Sequence, residues 1–333
     1  MSNNTFRALV ARKSETGQTI AIEKITEADL PTADVTVDIE YSSFNYKDGL
    51  ALKGLNRILR SFPIVPGIDL AGTVRSSTNP EFKAGDKVVL TGWGVGEGWS
   101  GGFAERARVK GEWLVKLPAG LTTRQAMAIG TAGLTAMLCV DALEHYRINT
   151  GDNVLVTGAA GGVGSVAVRL LSRLGYRVSA LTGRRSEDAF LKDLGAAEIV
   201  DRETYAAPGK PLQAERWHGA VDTVGGHILA NVLAAMAYGS PVAACGLAAA
   251  TELPTTVFPF ILRNIALLGV DSVNCPRERR QKAWTRLAGL LEESDFALVT
   301  CEADLEDLPA LADNILAGRV RGRTIVRLGY QSR

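Results

Sequence analysis

One glycine-rich stretch restricts the fold of this chain more than any other feature. Residues 153–157 are a largely apolar run, and GAAGGVGS follows at residues 158–165. Gly158, Gly161 and Gly164 have the spacing of a dinucleotide-binding turn between a buried strand and a helix. The first glycine permits the tight turn, the second lets backbone approach a pyrophosphate, and the third lets the helix pack closely. The pattern predicts a dinucleotide site, the alternative being a purely structural turn.

The segments around this turn alternate between strand-like and helix-like patterns. Apolar runs typical of buried strands are separated by stretches with the apolar spacing of helices. Strands are expected at residues 153–157, 177–181, 198–200, 220–224, 241–245 and 265–270, and helices at residues 165–174, 188–194 and 228–236. This alternation predicts an α/β fold of the Rossmann type, with a doubly wound parallel sheet covered by helices on both faces.

The residues before the glycine turn have a different character. Short strands separated by glycine turns predict a small barrel-like β domain. Thr122 followed by Gln125 is typical of a helix start, where each side chain caps the other's backbone. The tail resembles the first segment more than the middle. We therefore expect a β domain over residues 1–125, a dinucleotide-binding domain over residues 126–272 and a returning segment over residues 273–333.

Composition argues against several classes of partner. The 37 Lys and Arg nearly balance the 36 Asp and Glu, and a net charge of +1 gives no general attraction to nucleic acid or an anionic membrane. The apolar residues 126–140 are fewer than the ~20 that a membrane span needs, which favours a buried helix. The four cysteines lack zinc-type spacing and the start lacks a secretory pattern, which indicates a cytoplasmic protein with reduced thiols.

The end of the second predicted strand indicates which dinucleotide is bound. Proteins that bind NAD usually carry Asp or Glu there, to hold the ribose 2′-hydroxyl. Here the strand ends in LTGRR at residues 181–185, without a carboxylate. Thr182 supplies a hydroxyl, Gly183 permits close approach, and Arg184 could pair with a 2′-phosphate, as could Arg202 after the third strand. The pattern predicts NADPH, the alternative being that these arginines are solvated surface residues.

Three segments of the β domain connect these observations to a known group of enzymes. Residues 43–48 (SFNYKD) and 66–69 (PGID) stand where zinc alcohol dehydrogenases carry a Cys and a Gly-His-Glu motif, and residues 91–97 (TGWGVGE) replace their four-cysteine lobe. The chain resembles the zinc-independent, quinone oxidoreductase-like side of the medium-chain dehydrogenase/reductase superfamily. The resemblance implies a GroES-like β-barrel catalytic domain plus a Rossmann domain, with no metal site.

A closer resemblance, to the acrylyl-CoA reductase subfamily, extends over nearly the whole chain. It is carried by residues 43–48, 62–72, 91–97, 129–138, 156–166, 242–247, 253–269 and 271–273. This subfamily reduces the C=C bond of acryloyl-CoA to propionyl-CoA with NADPH, so the resemblance implies that reaction here. Two other interpretations stay open: an NADPH-dependent quinone reductase of the same fold, and an NADPH-binding protein without catalytic activity.

The resemblance also implies which further residues contact the cofactor. Residues 163–166 would lie at the pyrophosphate, and two apolar side chains after the later strands would flank the nicotinamide. The contacts added in this way are Val163, Ser165, Val166, Leu247, Ile261, Ser272 and Gly318.

Reduction of an enoyl thioester needs a proton for the α-carbon once a hydride has reached the β-carbon. Tyr46 is the candidate donor, because the resemblance places its segment beside the nicotinamide. The alternatives are that Tyr46 is a packed aromatic and that solvent provides the proton. Substrate contacts are predicted for Asn45, which would orient the site, and for Arg57, Arg60 and Arg263, whose charges would pair with CoA phosphates or else lie solvated at the surface.

The apolar run from Ile265 to Val270 is predicted to be the last strand of the parallel sheet. An uncovered apolar edge invites pairing with another chain. Relatives in the superfamily pair this strand across a twofold axis, so the resemblance implies a homodimer through this edge.

Overall fold

A computed structural model of the protein describes residues 5–15, 17–146 and 148–329. The chain divides into two compact units. The first contains the described residues of Met1–Thr131, Val273–Ala288 and Thr300–Arg333, and the second contains those of Ala132–Ser272 and Gly289–Val299. The first division therefore falls after Thr131, six residues later than the predicted boundary, because it lies inside a helix whose apolar pattern is continuous.

Among the described residues the strands are β1 (Phe6–Ser14), β2 (Gly17–Ile25), β3 (Val35–Phe44), β4 (Asp69–Ser77), β5 (Lys87–Thr91), β6 (Arg106–Val109), β7 (Val115–Lys116), β8 (Asn153–Thr157), β9 (Arg177–Thr182), β10 (Glu198–Asp201), β11 (Gly219–Asp222), β12 (Pro241–Ala244), β13 (Ala266–Gly269), β14 (Thr300–Ala303) and β15 (Arg323–Arg327). The α-helices are α1 (Tyr46–Leu52), α2 (Thr123–His145), α3 (Gly162–Arg173), α4 (Asp188–Asp193), α5 (Glu203–Ala206), α6 (Gly226–Ala234), α7 (Phe258–Arg263), α8 (Arg277–Leu290), α9 (Glu293–Val299) and α10 (Leu308–Leu316).

A six-stranded parallel sheet forms the centre of the second unit. Its strand order is β10-β9-β8-β11-β12-β13, and every neighbouring pair is parallel. The order reverses at β8, because the chain continues to β9 and β10 on one side and then returns to β11 on the other. Such a reversal leaves a crevice at the carboxyl ends of the central strands, where α/β sheets bind ligands. The predicted Rossmann sheet is confirmed.

The main sheet of the first unit is largely antiparallel and is centred on β3. Its strand order is β14-β15-β3-β4-β5-β7, and β6 also pairs with β3. The tail contributes β15, which pairs with β3 and places Thr324 opposite Phe44. An apolar core that includes Val37, Leu70 and Val88 lies against this sheet. The tail thus supplies a strand next to the segment that leads into α1.

The start of α2 agrees with the sequence. The Thr122 N–H donates to Gln125 Oε1 (2.7 Å) and the Gln125 N–H donates to Thr122 Oγ1 (3.2 Å), which confirms the predicted cap. The helix is interrupted at Gly130, where φ is 51° and ψ is −159°. By length and composition alone α2 could cross a membrane, but 83% of its most apolar window is buried inside the fold. It is the buried helix that residues 126–140 predict.

Candidate functional site

The glycine turn joins β8 to α3 at the carboxyl edge of the parallel sheet. Gly158 has a φ of 58°, and a Cβ atom there would lie 2.3 Å from Thr223 Oγ1. A Cβ atom at Gly164 would lie 2.3 Å from the carbonyl oxygen of Gly158, so α3 packs directly on the turn. At Gly161, the N-cap of α3, the nearest atom would be 3.2 Å away. Gly158 and Gly164 are therefore required by the protein itself, while the space at Gly161 is available to a ligand.

The first turn of α3 offers backbone groups rather than side chains. Ser165 and Val166 are buried, and the Ser165 hydroxyl donates to the carbonyl oxygen of Gly162 (3.4 Å). Val163 is half-buried. Because the N–H groups that open a helix have no partner within it, an anion at this end is held by backbone. The Ser165 N–H already donates to the carbonyl oxygen of Gly161 (2.9 Å), so the N–H groups at this end that could hold a pyrophosphate are those of residues 162–164, which include the predicted contact Val163. The contacts of Ser165 and Val166 stay predictions.

Two arginines come together at the ends of β9 and β10, next to the glycine turn. Arg184 Nη2 donates to the carbonyl oxygen of Ala160 (3.3 Å). A Cβ atom at Gly183 would lie 2.8 Å from Arg202 Cζ, so the Arg202 guanidinium lies against Gly183. Thr182, the last residue of β9, accepts the N–H of Arg184 on its hydroxyl oxygen (3.1 Å). The arrangement of a hydroxyl with two guanidinium groups suits a phosphate.

The carboxylate that pairs with Arg202 is at the surface. Glu203 pairs with Arg202 at 3.1 Å, and both side chains are more than half exposed. Asp201 accepts the N–H of Glu203 (3.0 Å) and belongs to β10, not to β9. An exposed pair of this kind contributes little free energy because water screens it. A phosphate could therefore displace Glu203 from Arg202 at small cost.

A buried carboxylate that the sequence patterns did not single out supports the turn. Asp222, the last residue of β11, accepts the Thr157 hydroxyl (2.7 Å) and the Gly225 N–H (2.9 Å). Burial raises the pKa of Asp222, and these hydrogen bonds oppose the shift. The Thr223 hydroxyl donates to the carbonyl oxygen of Thr157 (2.9 Å) and is the group that a side chain at Gly158 would strike. Asp222 thus holds the end of β8 and, through it, the start of the turn.

In the first unit, α1 places Tyr46 at the surface. Asn45 is the N-cap, and the reciprocal cap with Asp48 fixes the start of the helix. Tyr46 is the first helical residue and is 39% exposed. Within the part of the chain that the structure describes, no group accepts a hydrogen bond from the Tyr46 hydroxyl. Lys47 Nζ, the next residue, pairs with Glu97 Oε1 at 2.9 Å and ties α1 to the glycine-rich loop at residues 91–97.

Charged side chains are buried around the first turn of α1. Asp48 is fully buried and accepts the N–H groups of Asn45 (2.8 Å) and Ile68 (3.1 Å). Burial, reinforced by the neighbouring Asp69, raises the pKa of Asp48 to about 7. Arg323, from β15, is buried as well; burial lowers the pKa of its guanidinium, and the charges of Asp69 and Asp48 oppose that shift.

Comparison with known proteins decides the family. The profile of the alcohol dehydrogenase GroES-like domain matches residues 31–119, and that of the zinc-binding dehydrogenase matches residues 162–289. The chain is 51% identical to the acrylyl-CoA reductase AcuI of Ruegeria pomeroyi, over 96% of this chain and 98% of that protein. The chain belongs to the acrylyl-CoA reductase family of medium-chain dehydrogenases/reductases.

Solved structures of relatives have the same fold. The yhdH oxidoreductase of Salmonella enterica in complex with NADP is 54% identical and superposes with a TM-score of 0.95, over 97% of this chain and 100% of that one. The Bacillus subtilis protein yhfP with NAD bound is 44% identical, with a TM-score of 0.93 over 97% and 99% of the two chains. One of these relatives is thus described with NADP and the other with NAD.

The structure shows the exposure and the hydrogen bonds of four further residues that the resemblance implied as cofactor contacts. Leu247 and Ile261 are exposed, at 55% and 68%, so their side chains are accessible. Ser272 is buried, and its hydroxyl oxygen accepts from the Thr135 hydroxyl (2.8 Å). Gly318, with a φ of 67°, ends α10 and donates its N–H to the carbonyl oxygen of Ile315 (3.0 Å). Helix termination is thus sufficient reason for glycine at position 318.

The predicted substrate contacts separate into two groups. Arg57 and Arg60 are surface residues, and Arg60 Nη2 lies 3.2 Å from Glu97 Oε2. Arg263 is used inside the second unit, where its guanidinium donates to the carbonyl oxygens of Ala234 (2.8 Å), Met236 (3.1 Å) and Gln213. These backbone acceptors use N–H groups of the Arg263 guanidinium inside the second unit, and its contact with a CoA phosphate stays a prediction. The Asn45 amide is likewise directed into buried groups and does not face solvent, and its role in orienting the site stays a prediction.

Proposed function

We propose that this protein transfers a hydride from NADPH to acryloyl-CoA and so forms propionyl-CoA. The observation that carries the cofactor assignment is the placement of Arg184 against the glycine turn and of Arg202 against Gly183, with Thr182 in place of an acid at the end of β9. The acyl-CoA assignment is supported by the full-length relative described as an acrylyl-CoA reductase.

The residues present fit a dinucleotide with a 2′-phosphate. Gly158 and Gly164 leave no room for side chains, while Gly161 keeps space next to the helix N-terminus for a pyrophosphate. Arg184 and Arg202 would hold the 2′-phosphate through charge-assisted hydrogen bonds. When bound, the nicotinamide supplies a hydride for the β-carbon of the enoyl thioester.

The residues of this chain would then stabilise the negative charge that develops on the thioester oxygen and supply a proton to the α-carbon. Developing negative charge on the thioester oxygen has to be stabilised by fixed hydrogen-bond donors. Tyr46 is accessible and its hydroxyl donates to no other described group, so it could hold the proton that the α-carbon takes up. In the Tyr46→Phe variant, kcat for acryloyl-CoA should fall by about 100-fold, within the usual range for one acid–base group. Retention of most of kcat would assign the proton to solvent.

The substrate assignment is tested by a steady-state panel. NADPH oxidation is followed with acryloyl-CoA, crotonyl-CoA, longer enoyl-CoA esters and a quinone, and each measurement is repeated with NADH. The proposal expects the highest kcat/KM for acryloyl-CoA with NADPH. A higher value for the quinone would support the quinone reductase alternative. Binding of NADPH without turnover of any enone or enoyl thioester would support a non-catalytic protein.

The surface arginines are proposed to attract the CoA phosphates. Arg57 and Arg60 lie in the loop after α1, where Lys53 is already paired with Asp313 (2.7 Å). Replacement of both arginines by Ala should raise KM for acryloyl-CoA and flatten its dependence on salt, because fewer charges are screened. Arg12→Ala is the matched control, since that exposed arginine pairs with Glu23 on the β1–β2 hairpin. If KM for acryloyl-CoA depends equally on salt in the parent, the double variant and Arg12→Ala, Arg57 and Arg60 do not bind the CoA phosphates.

A homodimer through β13 and a cytoplasmic location are also proposed. β13 is an edge strand of the parallel sheet, and Leu267 and Leu268 are only half-buried. Pairing of this edge with a second copy would satisfy its free backbone groups. Light scattering at micromolar protein should give the mass of a dimer, and a monomer would contradict the assignment.

The proposed cytoplasmic location, which the four free cysteines support, is tested by cell fractionation.

A further inference from the structure

Two short polar side chains of the first unit lie between a buried cation and a buried anion. The Ser43 hydroxyl donates to Asp69 Oδ2 (2.5 Å) and accepts from Arg323 Nη2 (2.9 Å). Asn45 repeats the pattern: its Nδ2 donates to Asp69 Oδ2 (2.9 Å) and its Oδ1 accepts from Arg323 Nη1 (3.0 Å). We call Ser43, Asn45, Asp69 and Arg323 the polar clamp. It links the two charges through the segment that leads directly into Tyr46.

The chemistry of the clamp allows one orientation of this segment. A carboxylate only accepts hydrogen bonds and a guanidinium only donates them. Ser43 and Asn45 each need an acceptor on one side and a donor on the other, and the opposite orientation would leave buried groups unpaired. All four residues are less than 10% exposed, so water cannot replace a lost partner. The side-chain rotations of Ser43 and Asn45 are therefore fixed by the charges on either side.

Backbone from α2 completes the clamp. A Cβ atom at Gly130 would lie 2.6 Å from Arg323 Nη2 and 2.7 Å from Asp69 Oδ2, so the interruption of α2 brings backbone directly onto both charges. Asp69 also accepts the N–H of Thr131 (2.8 Å), and Arg323 Nε donates to the carbonyl oxygen of Ala128 (3.0 Å). Segments that are far apart in the sequence are thus held around one point, the N-terminus of α1.

We propose that Asp69 and Arg323 are positioning residues, which fix the start of α1 and thereby the place of the Tyr46 hydroxyl during proton transfer. The proposal rests on the proposed role of Tyr46. Neither charged group reaches the surface, so neither contacts substrate or cofactor. Their effect passes through Asn45, the N-cap of α1, to the residue that follows it. Small displacements of a reacting group lower a rate far more than they change ground-state binding.

The test substitutes Arg323 by Lys, which keeps the charge but not the planar fork that reaches Ser43 and Asn45 together. The expected result is a loss of kcat for acryloyl-CoA of about 10- to 100-fold with little change in KM for NADPH. Arg327→Lys is the matched control, because Arg327 lies on the same strand, is half exposed and pairs with Asp304 (3.1 Å). It should keep the parental kcat. Equal kcat values in the two variants would overturn the proposal.

A double-mutant cycle with Tyr46→Phe separates positioning from a general loss of structure. If the clamp acts through the Tyr46 hydroxyl, Arg323→Lys should cost much less in the Tyr46→Phe background than in the parent protein. Independent, multiplying losses would overturn the proposal, as would full activity of Tyr46→Phe. Ser43→Ala provides a milder second variant if Arg323→Lys does not fold, since it removes one connection and keeps both charges.

Hydrogen–deuterium exchange gives a readout that needs no turnover. In Arg323→Lys and Ser43→Ala, amides of residues 44–52 and 126–132 should exchange faster, while those of the β1–β2 hairpin keep the parental rate. If amides of residues 44–52 exchange at the parental rate in both variants, the clamp does not fix the start of α1, even if the protein reduces acryloyl-CoA. Faster exchange there, in a protein that does not reduce acryloyl-CoA, would refute the proposed substrate and leave the clamp in place.

Discussion

The glycine turn of the second unit and the polar clamp of the first unit are built in opposite ways. The turn uses backbone: Gly158, Gly161 and Gly164 lie within seven residues and act by having no side chain. The clamp uses side chains from three distant places, with Ser43 and Asn45 held between Asp69 and Arg323. The turn depends on a local pattern, whereas the clamp depends on the fold that gathers its members.

This difference affects how each region tolerates change. At Gly164 of the turn, one added methyl group meets backbone that cannot move away. In the clamp, each side chain has several partners, so removal of one leaves buried polar groups unsatisfied at the others. Variants of the turn should therefore act through steric contact, and variants of the clamp through lost hydrogen bonds and charge.

The largest effect is expected at Gly164. Gly164→Ala places a Cβ atom 2.3 Å from the Gly158 carbonyl oxygen and 2.7 Å from Ala159 Cα. Affinity for NADPH, measured by fluorescence titration, should fall by more than about 100-fold, and the free energy of unfolding by about 1–3 kcal/mol. Gly161→Ala is the matched control, whose unfolding free energy should stay within about 1 kcal/mol of the parent. Equal loss of stability in both variants would show that the turn is not limited by this contact.

A smaller and more selective effect is expected at Arg184. Arg184→Ala removes a charge-assisted partner of the 2′-phosphate, which is worth about 1.5–3 kcal/mol, and should raise KM for NADPH by about 10- to 100-fold. KM for NADH should change little. The control is Arg185→Ala, because that side chain is largely exposed and pairs with Asp188 and Asp201 at 3.7 Å. Similar changes for both cofactors would mean that the turn alone, without its arginines, selects the dinucleotide.

The pH dependence of stability tests the charge balance near the clamp. Burial and Asp69 raise the pKa of Asp48 from 3.8 to about 7 in the folded protein. Between these values the folded state binds more protons than the unfolded state, so the contribution of Asp48 to stability is present below pH 3.8 and is lost as pH rises through 7. In urea unfolding at pH 5 and pH 8, the parent should lose stability relative to Asp48→Asn at the higher pH. A constant difference between the two proteins would show that Asp48 ionises as freely as in the unfolded chain.

The smallest effect is expected at Thr122, a local feature of the first unit. Thr122→Ala removes the hydroxyl that accepts the Gln125 N–H (3.2 Å) and should lower the free energy of unfolding by about 1 kcal/mol. Like the turn, this cap is formed by neighbours in sequence, so its loss should add independently to that of Arg323→Lys. Strong coupling between the two would place the cap within the clamp.

The sequence predicted features that neighbouring residues determine together. The strand–turn–helix unit, the Thr122 cap and the absence of an acid after β9 were all visible in short windows. The cap of α1 was visible in principle, because Asn45 and Asp48 have the spacing of a reciprocal cap. The surroundings of Arg263 were not visible in this way: only the fold shows that Gln213, Ala234 and Met236 present their carbonyl oxygens to its guanidinium.

The sequence by itself determined the Rossmann unit, its glycine turn and the residue pattern at the end of β9 on which the proposed phosphate site rests. Glycine geometry and strand periodicity act over a few residues, and a pattern records them directly. Only the tertiary structure decided that Asp69, Arg323 and Asn45 form one buried group at the start of α1, and that Asp222 holds the turn. These contacts join residues up to 280 positions apart, as with Ser43 and Arg323, and depend on which strands pair. Burial then sets their energies, because a charge removed from water must find its partners within the fold.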